Sequence, residues 1–236
     1  KLVLDQNNPL LLDVFLNTSF SQYQLSTIQQ INVDSLGGID TLIVDSSNGL
    51  INIGNGIRYD GGAGSDALQL LQTGGTNWAS DTYSVGSALG QGLSTIVGGG
   101  TAGTQSVSFQ NLDPVLDLVP VFTLTVNATP EDNAINYTGG TLVTQGKVTI
   151  DAHESIEFAN KASLVLNAGA GIDSINLNNA GTPTGLTGIS VNGSDQQIDP
   201  LARGQFTFLV LVVDTILPAA QSGFGAHGLK VFEFLF

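Results

Sequence analysis

The chain has 236 residues, enough for one large all-β domain or two small ones. Charged residues make up only 11% and glycines number 30, which excludes an ordinary helical domain with charged wet faces. Twenty acids against six bases leave a net charge of −14, which repels phosphate backbones and argues against a nucleic-acid partner; with no cysteine, disulfides and thiolate metal sites are excluded.

Short runs rich in Val, Ile and Leu alternate with Gly, Asn, Asp, Ser and Thr, the pattern of strands joined by turns. No apolar run approaches the roughly 18 residues of a membrane-spanning helix. With no methionine present, the chain is expected to be mature, trimmed or a fragment. Four Asn-x-Ser/Thr sequons, at Asn17, Asn127, Asn136 and Asn192, are candidate glycosylation sites.

Residues 1–30 hold the apolar run PLLLDVFL (Pro9–Leu16) and then a polar Ser/Gln stretch. This segment is expected to cap the domain or to join it to another subunit. A repeat begins next. INVDSLGGIDTLIV (Ile31–Val44), IRYDGGAGSDALQL (Ile57–Leu70) and LVLNAGAGIDSINL (Leu164–Leu177) align without a gap. LTVNATPEDNAINY (Leu124–Tyr137) keeps the frame with Glu131 and Asn133 at the Gly and Asp positions, and ISVNGSD (Ile189–Asp195) repeats the first half. Each copy reads as a short strand, an Asp- or Asn-led turn with a glycine suited to positive φ, an outward Asp, and a second strand.

Strand, turn and strand reused in one apolar phase predict a parallel β-solenoid over 31–200 with irregular coils and apolar terminal strands. Asp40 and Asp66 are 26 residues apart, a plausible coil, but Asn133 follows Asp66 by 67, so the coils vary or the middle is built differently. Residues 76–104, rich in Gly, Ser and Thr around the sole tryptophan Trp78, read as a loop or hairpin projecting from the stack. Over 201–236 the pattern is lost. FTFLVLVV (Phe206–Val213) has no polar alternation and is expected to be buried on both faces, and LKVFEFLF (Leu229–Phe236) is apolar. Two β-sandwich domains with a join near Thr101–Val126 are the alternative fold.

GGAGSDALQ (Gly61–Gln69) fits the nonapeptide of the RTX (repeats-in-toxin) β-roll family, while AGAGIDSIN (Ala168–Asn176) misses by one glycine and SLGGIDTLI (Ser35–Ile43) by two. The chain resembles that family, and the looser β-helix repeat regions of large secreted bacterial surface proteins, over about a third of its length. The resemblance implies Ca²⁺ held by Asp40, Asp66 and Asp173 with turn carbonyls. The copies are not tandem nonapeptides, so neighbouring turns need not complete such a site.

The expected role is an extracellular or cell-surface structural protein, a homopolymer joined through its apolar terminal strands into a filament, sheath or surface layer. A repeat segment of a large adhesin binding a glycan or cell surface is the alternative. A β-helix polysaccharide lyase or glycosidase is a third reading. It has weak residues to work with: His153 and His227 are far apart, the six bases are scattered, and no hydrolase elbow, Walker pattern or H-E-x-x-H occurs. No catalytic residue and no cofactor beyond Ca²⁺ is expected.

Overall fold

The computed structural model describes residues 1–193 except Thr76, Ala180 and Thr182. The apolar segments expected over 201–236 lie outside the described residues, together with Arg203, His227 and Lys230. The described part is all-β, with no α-helix. β1 (Leu2–Leu4), β2 (Leu11–Leu16) and β3 (Ser19–Gln24) form an antiparallel meander. β4 (Ile31–Asp34), β5 (Gly37–Gly38) and β6 (Thr41–Asp45) are the first repeat copy, and β7 (Ile57–Asp60), β8 (Ala63–Gly64) and β9 (Ala67–Leu71) the second.

A second meander, β10 (Ser80–Val85), β11 (Gly92–Val97) and β12 (Thr104–Gln110), precedes β13 (Val115–Asp117) and β14 (Val121–Asn127). The third comprises β15 (Ala134–Gly139), β16 (Gly146–Ile150) and β17 (Ile156–Phe158). β18 (Lys161–Gly169), β19 (Ser174–Leu177) and β20 (Gly188–Gly193) complete the described chain.

Two large mixed sheets result. One has ten strands in the order β19-β15-β16-β17-β13-β9-β6-β1-β2-β3, the other eight in the order β20-β18-β14-β10-β11-β12-β7-β4. Each of the four full copies starts in the eight-stranded sheet and finishes in the ten-stranded one, because its central turn carries the chain across. Equivalent positions then pair in parallel: Ile31 opposite Ile57, Leu42 opposite Leu68, Leu124 opposite Leu164, and Ile135 opposite Ile175. The weak fourth copy is thus stacked in frame on the third.

The irregular spacing comes from the meanders. Within the stretch expected to project, Ser80–Val85 and Gly92–Val97 instead supply β10 and β11, which lie in the eight-stranded sheet between β14 and β12. The third meander widens the ten-stranded sheet in the same way. Parallel pairs Asp81–Leu124 and Val115–Ile156 span the Thr101–Val126 stretch on which two separate sandwiches would have to divide.

Alternation puts one side of most strands into a single hydrophobic cluster drawn from both sheets, including Ile57, Tyr59, Leu68, Leu70, Leu124, Val126, Leu164 and Leu166. Each such side chain contributes about 1.5–3 kcal/mol through removal from water. The turns between half-copies need glycine. Gly38 and Gly64 both have φ near +139°, and a Cβ on Gly64 would sit 1.7 Å from the Gly38 carbonyl oxygen.

Candidate functional site

Stacking brings the aspartates of successive copies together, with Asp66 turned inward and Asp40 and Asp173 half-buried. Asp66 is fully buried, and its Oδ1 accepts the Asp40 backbone N–H at 2.8 Å from the preceding turn. The same device recurs 40 residues apart: Asp173 Oδ1 accepts the Asn133 N–H at 2.9 Å, and Asp132 Oδ1 accepts the Ile172 N–H at 2.7 Å. A turn that leaves the sheet strands its backbone N–H, and the neighbouring carboxylate satisfies it. Burial, with Asp132 and Asp151 nearby, raises the Asp173 carboxyl despite that bond.

Asp40 and Asp66 therefore belong to one turn pair, and Asp173 to another. For Ca²⁺ the first pair offers Asp66 Oδ2, which is buried with no hydrogen-bond partner, together with the half-buried Asp40. Among the described residues no three acidic or histidine side chains converge on one point. The side chains alone thus fall short of the six to eight oxygens calcium takes, so turn carbonyls would have to supply the rest.

A second ladder runs along the eight-stranded sheet. Asn127 Nδ2 donates to Ser84 Oγ at 3.0 Å, Asn167 Nδ2 to Asn127 Oδ1 at 2.7 Å, and Asn192 Nδ2 to Asn167 Oδ1 at 2.9 Å. Asn127 and Asn192 are sequon asparagines, and the nitrogen that would carry a glycan is engaged in this ladder. Asn17 lies in the exposed β2–β3 turn with φ +52°. Asn136 Oδ1 accepts from Asn176 at 3.4 Å.

An open cleft of about 460 Å³ lies over the eight-stranded sheet, lined in part by Arg58, Ser84, Gln91, Leu93, Ser108 and Gln110. No carboxylate lines it. Arg58 bonds Asp34 at 3.1 Å and Asp60 at 3.4 Å, and Asp60 also accepts from Gln110 and Asn111. Those donors hold the Asp60 carboxyl below its ordinary range. His153 sits apart from this cleft, with Nδ1 buried and without a hydrogen-bond partner.

The most unusual chemistry lies inside the molecule. Lys161 at the start of β18, Asp81 in β10 and Asp117 at the end of β13 are all fully buried. Lys161 Nζ donates to Asp81 Oδ2 at 2.6 Å, to Asp117 Oδ1 at 3.0 Å and to the Val119 carbonyl at 2.7 Å. Asp117 Oδ1 also accepts the Val119 N–H at 2.9 Å.

Two carboxylates against one ammonium would bury a net negative charge. Burial, then Asp117, push the Asp81 carboxyl well above its ordinary range. Burial alone would lower the lysine; Asp117 and Asp81 outweigh it and raise Lys161. A further buried acid, Glu154, has Oε2 without a partner and is pushed up to about 7 by burial and by Asp113. The Tyr83 hydroxyl donates to the Glu154 carbonyl at 2.8 Å, and burial raises that phenol.

The repeat motif pointed to Asp40, Asp66 and Asp173; nothing in it pointed to Lys161, Asp81 or Asp117. A usable signal was present. Asp117 is a lone charge at an inward position of the apolar run PVLDLVP, and Lys161 stands just ahead of SLVL, whereas Asp81 in SDTYSV carries no such mark. No family model, curated protein or solved structure matches this chain.

Proposed function

We propose that this chain is an extracellular structural protein, a β-solenoid building block that joins copies of itself into a filament, sheath or surface layer. The observation that carries the reading is the free edge of the ten-stranded sheet. β3 ends that sheet with all six residues exposed, and Phe15, Leu16, Phe20 and Tyr23 stand exposed on the β2–β3 hairpin. The Phe15 and Phe20 rings are 5.1 Å apart and form an apolar knob. An unpaired, uncharged edge of this kind accepts another strand, and proteins that remain monomeric normally blunt it with charge or proline. Parallel registers between the repeat copies, interrupted by the antiparallel meanders, and the asparagine ladder favour a solenoid reading. The likeness to secreted β-helix repeat proteins is part of the same reading, with Ca²⁺ at the Asp40–Asp66 turns as an accessory.

Negative-stain imaging of the purified chain at neutral pH tests it. Filaments or sheets are expected, and Phe20→Asp, which places a charge on the edge without touching the core, is expected to leave dispersed particles. Dispersed monomers of the unaltered chain would sink the reading. Repeating the image with a chelator measures what calcium adds. The cleft beside Arg58 favours a second reading, an adhesin segment holding a neutral glycan; binding to a glycan array by chain that forms no fibres would support it instead.

A further inference from the structure

We propose that Lys161 and Asp81 become joined side chain to side chain by an amide bond, formed by the folded chain itself with Asp117 as proton acceptor. The inference is independent of self-assembly. It rests on three groups that meet from three strands in a fully buried site. β10 and β18 flank β14 on opposite sides, where Asp81 is opposite Leu124 and Lys161 opposite Val121. The lysine side chain therefore reaches across β14, while Asp117 arrives from the other sheet.

The geometry sorts the two aspartates into different roles. Asp81 Oδ2, at 2.6 Å from Nζ, is one bond from the carbon to be attacked, and the lysine is the donor found for it. Asp117 is held by the Val119 N–H and contacts the same nitrogen at 3.0 Å, in place to take its proton. The Val119 carbonyl fixes a third direction around Nζ. Asp81 Oδ1 and Asp117 Oδ2 are buried without a hydrogen-bond partner, which leaves a place for the proton that the reaction needs on Asp81.

The step balances with those protons alone. The ammonium gives one proton to the Asp117 carboxylate, and the freed lone pair attacks Cγ of the protonated Asp81. The C–N bond forms, the nitrogen gives up a second proton to the departing hydroxyl, the Asp81 C–OH bond breaks, and one water leaves. The products are the amide, water and a protonated Asp117, with no net charge before or after. No oxidant, metal or cofactor is needed. Burial favours the direction, since an ion pair in a dry site is replaced by a neutral amide and water is kept from reversing the reaction. One slow turnover per molecule suffices, so holding the lysine as an ammonium most of the time does not prevent it.

The product would tie chain positions 80 residues apart. It would lock β10 to β18 across β14, in a protein whose sequence contains no cysteine.

The test is the intact mass of the full chain, measured denatured after its fold has been confirmed by circular dichroism, followed by sequencing of digested peptides. A mass lower than the sequence mass by one water is expected, with a branched peptide joining positions 81 and 161. Lys161→Arg and Asp117→Asn are each expected to show no water loss. Folded, unaltered chain at its full sequence mass after prolonged incubation overturns the proposal, leaving the trio an ion cluster only. A branch to Asp117, or an equally rapid water loss in Asp117→Asn, overturns the assignment of roles.

Discussion

The protein buries carboxylates in two ways, at the turns and in the core. At the turns, Asp66 and Asp173 each face a backbone N–H of the neighbouring copy, and the site is made afresh wherever two turns stack. In the core, Asp81 and Asp117 face a lysine side chain drawn from a distant strand, and the arrangement occurs once among the described ion pairs. A turn carboxylate replaces a hydrogen bond that the sheet cannot provide. A core carboxylate replaces part of the apolar filling, and its energy depends on two partners staying in place. The turns therefore tolerate variation from copy to copy, as Asn133 at an Asp position illustrates, whereas the core trio has no spare part.

Removing the cation breaks this contrast most sharply. Lys161→Met leaves two buried carboxyls without a counter-charge and is expected to cost roughly 3–5 kcal/mol in urea unfolding, enough to threaten folding. Replacing all three groups by apolar residues, Lys161→Met with Asp81→Leu and Asp117→Leu, is expected to recover most of that electrostatic loss. If the unaltered chain carries the amide, it also keeps the constraint of a closed 80-residue loop, roughly 4 kcal/mol in the chain-entropy picture, which the triple variant cannot restore. A triple variant no more stable than Lys161→Met alone would show that shape, not charge, governs the site.

The turns should respond less. Asp66→Ala strands the Asp40 N–H in a buried setting and is expected to cost about 1–3 kcal/mol. Asp173→Ala, in a more open turn, should cost visibly less by the same urea measurement. Equal losses would mean that burial does not distinguish the two pairs and that the turn device acts identically in each.

The same contrast explains what could be read from the residues alone. The turn device is local: apolar triplet, Asp or Asn, glycine and Asp recur in a fixed frame, and the frame aligned Leu124 with Leu164 before any pairing was known. The direction of the second Asp was not legible, because it depends on the N–H of a turn 26 or 40 residues away. The meanders hid the repeat spacing for a related reason. Asp66 and Asn133 are separated by β10, β11 and β12, whose hairpins lie within the sheet rather than lengthening a loop. Lys161 and Asp81 were harder still, as they meet only after β14 has been placed between them. A charge in an apolar run marks such a site but cannot name its partner.

Glu154 sharpens the comparison further, as a buried carboxyl with neither device: no N–H is found for its Oε2 and no cation balances it. Burial raises it from 4.5 to about 7, so the folded protein holds a proton there that the unfolded chain has released. Its stabilising contribution is complete below pH 4.5 and disappears as pH rises through 7. Glu154→Gln stays neutral throughout and should remove that dependence. The variant is expected to gain melting temperature relative to the unaltered chain between pH 5 and pH 8. Parallel profiles across that window would show that Glu154 ionises as an ordinary carboxylate. Asp81, raised for the same physical reason, carries a dependence of the same sign while it remains an acid. Once converted to an amide it no longer titrates, so in linked chain Glu154 is left as the strongest of these acid-side contributions. A pH dependence that persists in unlinked Glu154→Gln but is absent from linked Glu154→Gln would therefore separate the two groups and report the state of Asp81.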